Sequence, residues 1–217
     1  MHTASCTINN LVRQISEANR QSSRIALSGD GALGKSVLAM GIARALDGLI
    51  FEVDGYMLPR SERQALGISC GEDDRSLDWA TVRADLSRLD QKGVRSRRYD
   101  HSTGTPVVGA LLKRERSQPL IIDGSYLLTD GCRDLYDFGI LLDATLEVRA
   151  MLRYHADIER GYRPTDFQLN WTKYNERYTN SIAEMTRNAD IIVAVHPAWK
   201  YTWQAAKLPC TCLVEAG

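Results

Sequence analysis

The octapeptide GDGALGKS at 29–36 lies between the apolar run RIAL and a stretch with helical periodicity, and no other segment constrains the fold as tightly. It fits G-x-x-x-x-G-K-S/T, with Gly29, Gly34, Lys35 and Ser36 at the fixed positions. A strand must feed such a loop and a helix must leave it. Glycines let the backbone N–H groups of Gly29, Asp30, Gly31, Ala32, Leu33 and Gly34 close around a phosphate chain. Lys35 reaches the outer phosphates, the Ser36 hydroxyl is a magnesium ligand, and Val37 belongs to the first helical turn, whose dipole favours anions. The expected cofactors are therefore a nucleoside triphosphate, ATP, and Mg2+.

The rest of the chain alternates short apolar runs with helical patterns, which predicts an α/β fold with a parallel sheet flanked by helices. Strands are expected at 24–28, 49–53, 119–124, 138–144 and 189–195, and helices at 7–20, 36–46, 76–93, 145–160 and 166–187. Ser76 is the expected cap of the third helix. Gly161 and Pro164 interrupt the last two, and the polar stretch VRSRRYDHSTGTP separates the third helix from the basic segment around Lys113 to Arg116. The segment after Pro197 has no clear period; its Trp199, Tyr201 and Trp203 fit either core packing or a homo-oligomer contact.

With 217 residues, 44% of them hydrophobic, one domain with a mobile lid is expected. Lys plus Arg and Asp plus Glu balance at 27 each, so no global field attracts nucleic acid or an anionic membrane. No apolar run reaches membrane-span length, and MHTASCTINN lacks the pattern of a secretory signal, so a cytoplasmic protein is expected. Five scattered cysteines argue against a disulfide framework, and Cys210 and Cys212 lack the further ligands of a zinc site.

A phosphate loop is shared by GTPases, ATPase motors and small-molecule kinases. The chain has no N-K-x-D segment to read guanine, and Gly124 follows PLIID where many motors place a water-polarising Glu. Transfer to an organic acceptor is favoured over hydrolysis. Its base should lie at the carboxyl end of a neighbouring strand, where Asp54 of FEVDGYMLPR stands. By spacing alone Asp54 serves equally well as a base that helps hold the metal or as the cap of its Asp-Gly turn.

Taken in order, GDGALGKS, VDGYMLPRSER, SLDWATVRADLSRL, RYDHSTG, LIIDGSYLL, ADIERGYR and NADIIV resemble the phosphoribulokinase and uridine kinase family of P-loop kinases, from about Arg24 to Val195. The resemblance implies Asp54 as general base and Tyr56 as an aromatic beside the acceptor. It places Asp78 in the acceptor pocket, where capping its helix competes as a role. A substrate-binding hairpin is implied within 94–116, with Tyr99 and Asp100 as the family's Y-D pair; His101 after them fits either an acceptor contact or a solvated loop histidine. The pyrimidine-reading T-H-S-R is replaced by Thr103-Gly104-Thr105-Pro106. Asp123 takes the position of an acidic residue that orients magnesium, against a purely structural hydrogen-bonding role.

The implied lid, 153–166, contains ADIERGYR, which resembles the family form R-D-x-x-x-R-G-R. Arg160 matches, Arg163 lies one position beyond the next arginine, and His155 and Ala156 replace the leading pair, with Arg153 as the stand-in. Arg149 and Arg153 also fit a solvated helix face. The expectation is a kinase acting on a small-molecule hydroxyl, a nucleoside first, with a sugar, a pantothenate-like alcohol or an antibiotic as alternatives. A catalytically decayed nucleotide sensor is the competing class.

Overall fold

Runs such as LIID and GILL are apolar at every position because both faces of their strands are covered. The computed structural model describes residues 7–18, 23–68 and 73–205. Helix α1 (Ile8–Ala18) precedes β1 (Arg24–Gly29), and the glycine-rich loop leads into α2 (Lys35–Leu46). Strand β2 (Leu49–Glu52) runs into a 3-10 turn at Val53–Tyr56, followed by α3 (Arg60–Ala65) and α4 (Trp79–Leu89). Strands β3 (Val94–Asp100) and β4 (Thr105–Leu112) pair only with each other. Then come β5 (Leu120–Asp123), β6 (Phe138–Asp143), α5 (Leu146–Glu159), α6 (Pro164–Asn188), β7 (Ile191–His196) and β8 (Lys200–Ala205).

The main sheet has the order β2-β5-β1-β6-β7-β8, parallel except for β8, which runs antiparallel to β7. Period-two alternation divides its side chains between two cores. Ile25, Leu27, Ile121 and Ile140 face α1 and α2, where Leu11, Ile15, Leu38 and Ile42 are buried. Ala26, Leu120, Ile122 and Leu141 face α4 and α6, packing with Val82, Leu86 and Met185. Every parallel strand therefore ends its run at the same sheet edge, which is where the polar side chains collect. No helix among the described residues is long and apolar enough to cross a membrane.

One local expectation is corrected. The third helix starts at Trp79, not Ser76: the Asp78 carboxylate accepts from the Thr81 N–H at 3.0 Å and the Thr81 hydroxyl at 2.6 Å, so Asp78 is the cap. Those bonds hold its carboxyl below the usual range. Ser76 instead sits buried in a 3-10 turn, and its carbonyl accepts from the Leu58 N–H. The hairpin implied within 94–116 is present: the polar stretch from Val94 forms its first arm, and its strands carry exposed arginines because one layer leaves a face to solvent. The segment after Pro197 forms β8; Tyr201 is buried in the core and the Trp203 indole donates to Gln14 on α1 at 2.6 Å. Cys210, Cys212 and the last two residues of the predicted 7–20 helix lie outside the described residues.

Candidate active site

The chain leaves β1 through Gly29 at φ +141°, where a Cβ would stand 2.2 Å from the Leu142 carbonyl oxygen of β6. Only glycine fits there, so the loop can turn at the sheet edge without pushing β6 away. Leu33 is fully buried and pins the loop to the core, while Asp30 turns inward: it accepts from the Gly31 N–H at 2.7 Å and from Arg149 of α5 at 3.0 Å. Ala32, at φ +66°, and Gly31, Gly34, Lys35, Ser36 and Val37 line a cavity of about 720 Å³. The Lys35 ammonium donates to the Asp30 carbonyl at 2.8 Å, folded back over its own loop. Ser36 donates its hydroxyl proton to Asp123 Oδ2 at 2.6 Å, and Asp123 Oδ1 is buried without a hydrogen-bond partner.

Asp54 enters the same cavity from the 3-10 turn after β2. The turn is closed by the main chain, the Met57 N–H donating to the Asp54 carbonyl, and a Met57–Leu77 bridge clamps its far end. Gly55 lets the hairpin lie against this turn, since a Cβ there would meet the Arg97 carbonyl oxygen at 2.2 Å. The hairpin thereby brings Tyr99 and His101 to the cavity, edge to face with centroids 5.2 Å apart. Arg63 of α3 donates to the Tyr99 hydroxyl at 2.7 Å and to the Leu58 carbonyl at 3.1 Å, and Arg60 donates to the His101 carbonyl at 2.6 Å.

The third wall is the turn between α5 and α6, built around Gly161 at φ +85°. Arg153 and Arg160 line the cavity there. Arg153 is buried, paired with Asp157 at 2.9 Å and stacked on Tyr174 of α6 at 4.2 Å. Arg160 reaches the same carboxylate at 3.8 Å. Lys35, Arg60, Arg63, Arg153 and Arg160 face Asp54 and Glu159, so the cavity is strongly cationic. At the end of β2, Glu52, in register with Asp123, has its carboxyl raised above the ordinary range by burial first and by the Asp123 charge second.

The model of the phosphoribulokinase/uridine kinase family matches residues 25–201. The chain belongs to this family. Solved structures of the same fold include a candidate fructose transport system kinase from Silicibacter sp. TM1040, at 18% identity and TM-score 0.62 over 85% of this chain and 92% of that one. A candidate uridine kinase from Bacillus stearothermophilus aligns at 17% identity and TM-score 0.59 over 85% of this chain and 98% of that one. YFH7 from Saccharomyces cerevisiae, a candidate P-loop kinase with a circular permutation, aligns at 9% identity and TM-score 0.60 over 88% and 99% of the two chains. A search of curated proteins gave no match.

For a P-loop kinase of this family, which uses ATP, the residues singled out from sequence divide into two groups. Lys35, Ser36, Asp54, Tyr99, His101 and Arg160 share the cavity. Tyr56, Asp78, Asp123 and Arg163 do not line it, Asp123 meeting its wall through the Ser36 hydroxyl. Tyr56 is buried against Phe51 with its hydroxyl on Asp85 at 3.0 Å; burial and Asp85 push that hydroxyl above its usual range. Asp78 caps α4. Arg163 starts α6, its backbone N–H and guanidinium both donating to Asp166, with its side chain 79% exposed. Arg149 and Arg153 are not on a solvated face: both are buried by the aromatic side of α6, Tyr178 lying 4.2 Å from Arg149. The sequence did not single out Arg60, Arg63 or Tyr174, and it set Trp199 in core packing or a homo-oligomer contact, whereas Trp199 lines the cavity. For the first pair a signal existed in PRSER, directly after the Asp54 segment.

Proposed function

We propose that the protein is an ATP- and Mg2+-dependent kinase that transfers the γ-phosphate in line to a hydroxyl of a small metabolite, with a nucleoside as the first acceptor to test. The observation that carries this reading is one cavity holding Lys35 and Ser36 on one side and Asp54 on the other. Lys35 leaves the Asp30 carbonyl for the phosphates, and the loop N–H groups hold the rest of the chain. Asp54 accepts the proton of the attacking hydroxyl, and Arg153 and Arg160 offset charge developing on the transferred group.

Ser36 and Asp123 fit a hydrated magnesium ion, because the orphaned Asp123 Oδ1 is a buried acceptor pointing to a cation or its water. Magnesium held by Ser36 and Asp123 would supply charge neutralisation to the phosphates. No cluster of three carboxylate, thiol or imidazole ligands occurs among the described residues, and an ion held chiefly by phosphate and water needs none.

A second reading, an alcohol carrying a carboxylate in the pantothenate-like class, is favoured by Arg60 and Arg63 on the acceptor side, whose guanidinium groups have donors to spare. ADP release under ATP and Mg2+ across nucleosides, sugars and hydroxy acids distinguishes them. Acceptor-dependent turnover should fall about 10²- to 10⁴-fold in Asp54→Asn with nucleotide binding unchanged. An unaltered rate in that variant would remove Asp54 as the base, and tight ATP binding without turnover on the whole panel would favour the sensor.

A further inference from the structure

The strand order fixes which end of the cavity each substrate occupies. The phosphate loop follows β1; Asp54 follows β2, two strands away on one side, and Pro197–Trp199 follows β7, two strands away on the other. Two strand spacings are roughly 10 Å. In-line transfer needs the attacking hydroxyl and the leaving diphosphate on opposite sides of the γ-phosphate. With the base on the β2 side, the nucleoside of the donor must extend toward β7.

One side chain waits at that end. Trp199 lines the cavity and is 49% exposed, the one exposed tryptophan among the described residues. Its indole lies against the phosphate loop itself, the six-membered ring 3.1 Å from the position of a Cβ on Gly34. The backbone that puts it there is costly: Ala198 and Trp199 are consecutive non-glycine residues in the left-handed region, at φ +59° and +54°. Packing does not account for that conformation, because Tyr201 and Trp203 anchor β8 while Trp199 remains half in solvent. Val37, also exposed, adds an apolar neighbour on the first turn of α2.

We propose that Trp199 is the stacking platform for the purine ring of the donor nucleotide. The ring offers a face to the base just beyond the loop that holds its phosphates, and stacking needs no matched base-edge donors. This rests on the loop being the ATP site, so the test separates base from phosphate. Binding of ATP and of inorganic tripolyphosphate, each with Mg2+, is measured by calorimetry on the full chain. Trp199→Ala should weaken ATP by about 5- to 100-fold and leave tripolyphosphate within about 2-fold, while Trp199→Phe keeps most of the ATP affinity. Equal weakening of both ligands would show a brace for Gly34 and overturn the stacking role alone; so would unchanged ATP binding. Wild-type protein that binds neither ligand would overturn the donor site and Trp199 with it. Should Trp199→Ala fail to fold, the emission difference between the ATP and tripolyphosphate complexes decides: present in wild type and Trp203→Phe, lost in Trp199→Phe if the proposal holds, and retained there if it is wrong.

Discussion

Arg63 illustrates how a positioning side chain can be separated from a binding one. It is buried, bonds the Leu58 carbonyl and the Tyr99 hydroxyl, and lies 5.6 Å from the Tyr99 ring centre. Removing it frees Tyr99 and leaves a carbonyl short of its donor, at a cost of about 1–3 kcal/mol. Arg63→Ala should therefore raise KM for the acceptor by about 10-fold while KM for ATP stays put, as read from initial rates with each substrate varied. Arg63→Lys should recover little, because an ammonium cannot reproduce two bonds from one planar fork. A parallel rise in both KM values would place Arg63 in general stability instead.

The turn between α5 and α6 carries two arginines that sequence spacing treats alike and the fold treats differently. Arg160 lines the cavity, whereas Arg163 is held by Asp166 at the start of α6. Arg160→Ala should lower kcat by about 10²-fold, the scale of one lost transition-state donor, and Arg163→Ala should change kcat little while loosening the helix start. Comparable losses in both would mean that the turn rearranges when substrates bind. The loop before α4 offers a separate test through pH. Asp73 is fully buried between Arg75 at 2.6 Å and Arg177 of α6 at 2.7 Å. Hydrogen bonds from Arg75 outweigh burial and, with the Arg177 charge, pull its carboxyl down to about 2. An acid held below its unfolded value of about 3.9 contributes stability above that pH and loses it as pH falls toward the folded value. Asp73→Asn should thus cost about 1–3 kcal/mol near neutrality and narrow its deficit as pH falls from about 4 to about 2, measured by urea midpoints. These cases also show what the sequence could carry. GDGALGKS, LIIDG and FGILLDA mark their strands and loop nearly to the residue, because apolar runs and glycines act locally. The burial of Arg153 depends on Tyr174, and the cap at Asp78 on a carboxylate reaching Thr81; neither partner choice is written in a period. Tyr56 fits the family's aromatic position, yet Phe51 and Asp85 draw it into the core.

Across the whole molecule, the phosphate loop and helices α5 and α6 are joined by one buried polar relay. Arg149 of α5 pairs with Asp30 of the loop and donates to Asn175 of α6 at 2.8 Å, and Tyr178 of α6 covers it. Tyr178 in turn donates to Asp143, at the end of β6, at 2.6 Å; burial and that carboxylate drive its hydroxyl far above the usual range. Loop, sheet edge and both helices thus meet around a single guanidinium. Breaking a buried pair from one side strands the other charge, at about 3–5 kcal/mol. For a domain of this size each kcal/mol moves Tm by about 2–4 °C, so Arg149→Met should lower Tm by roughly 6–20 °C. Arg149→Met combined with Asp30→Asn should recover part of that loss, since no charge is then left unpaired. Nucleotide supplies a second axis. A ligand at about 100 times its Kd stabilises the native state by about 2.7 kcal/mol, or roughly 5–11 °C here. If the relay transmits loop occupancy to α5 and α6, ATP should rescue the single variant less than wild type, because part of the binding free energy goes to reordering those helices. Equal thermal shifts on ATP in both proteins would confine Arg149 to holding the apo fold together.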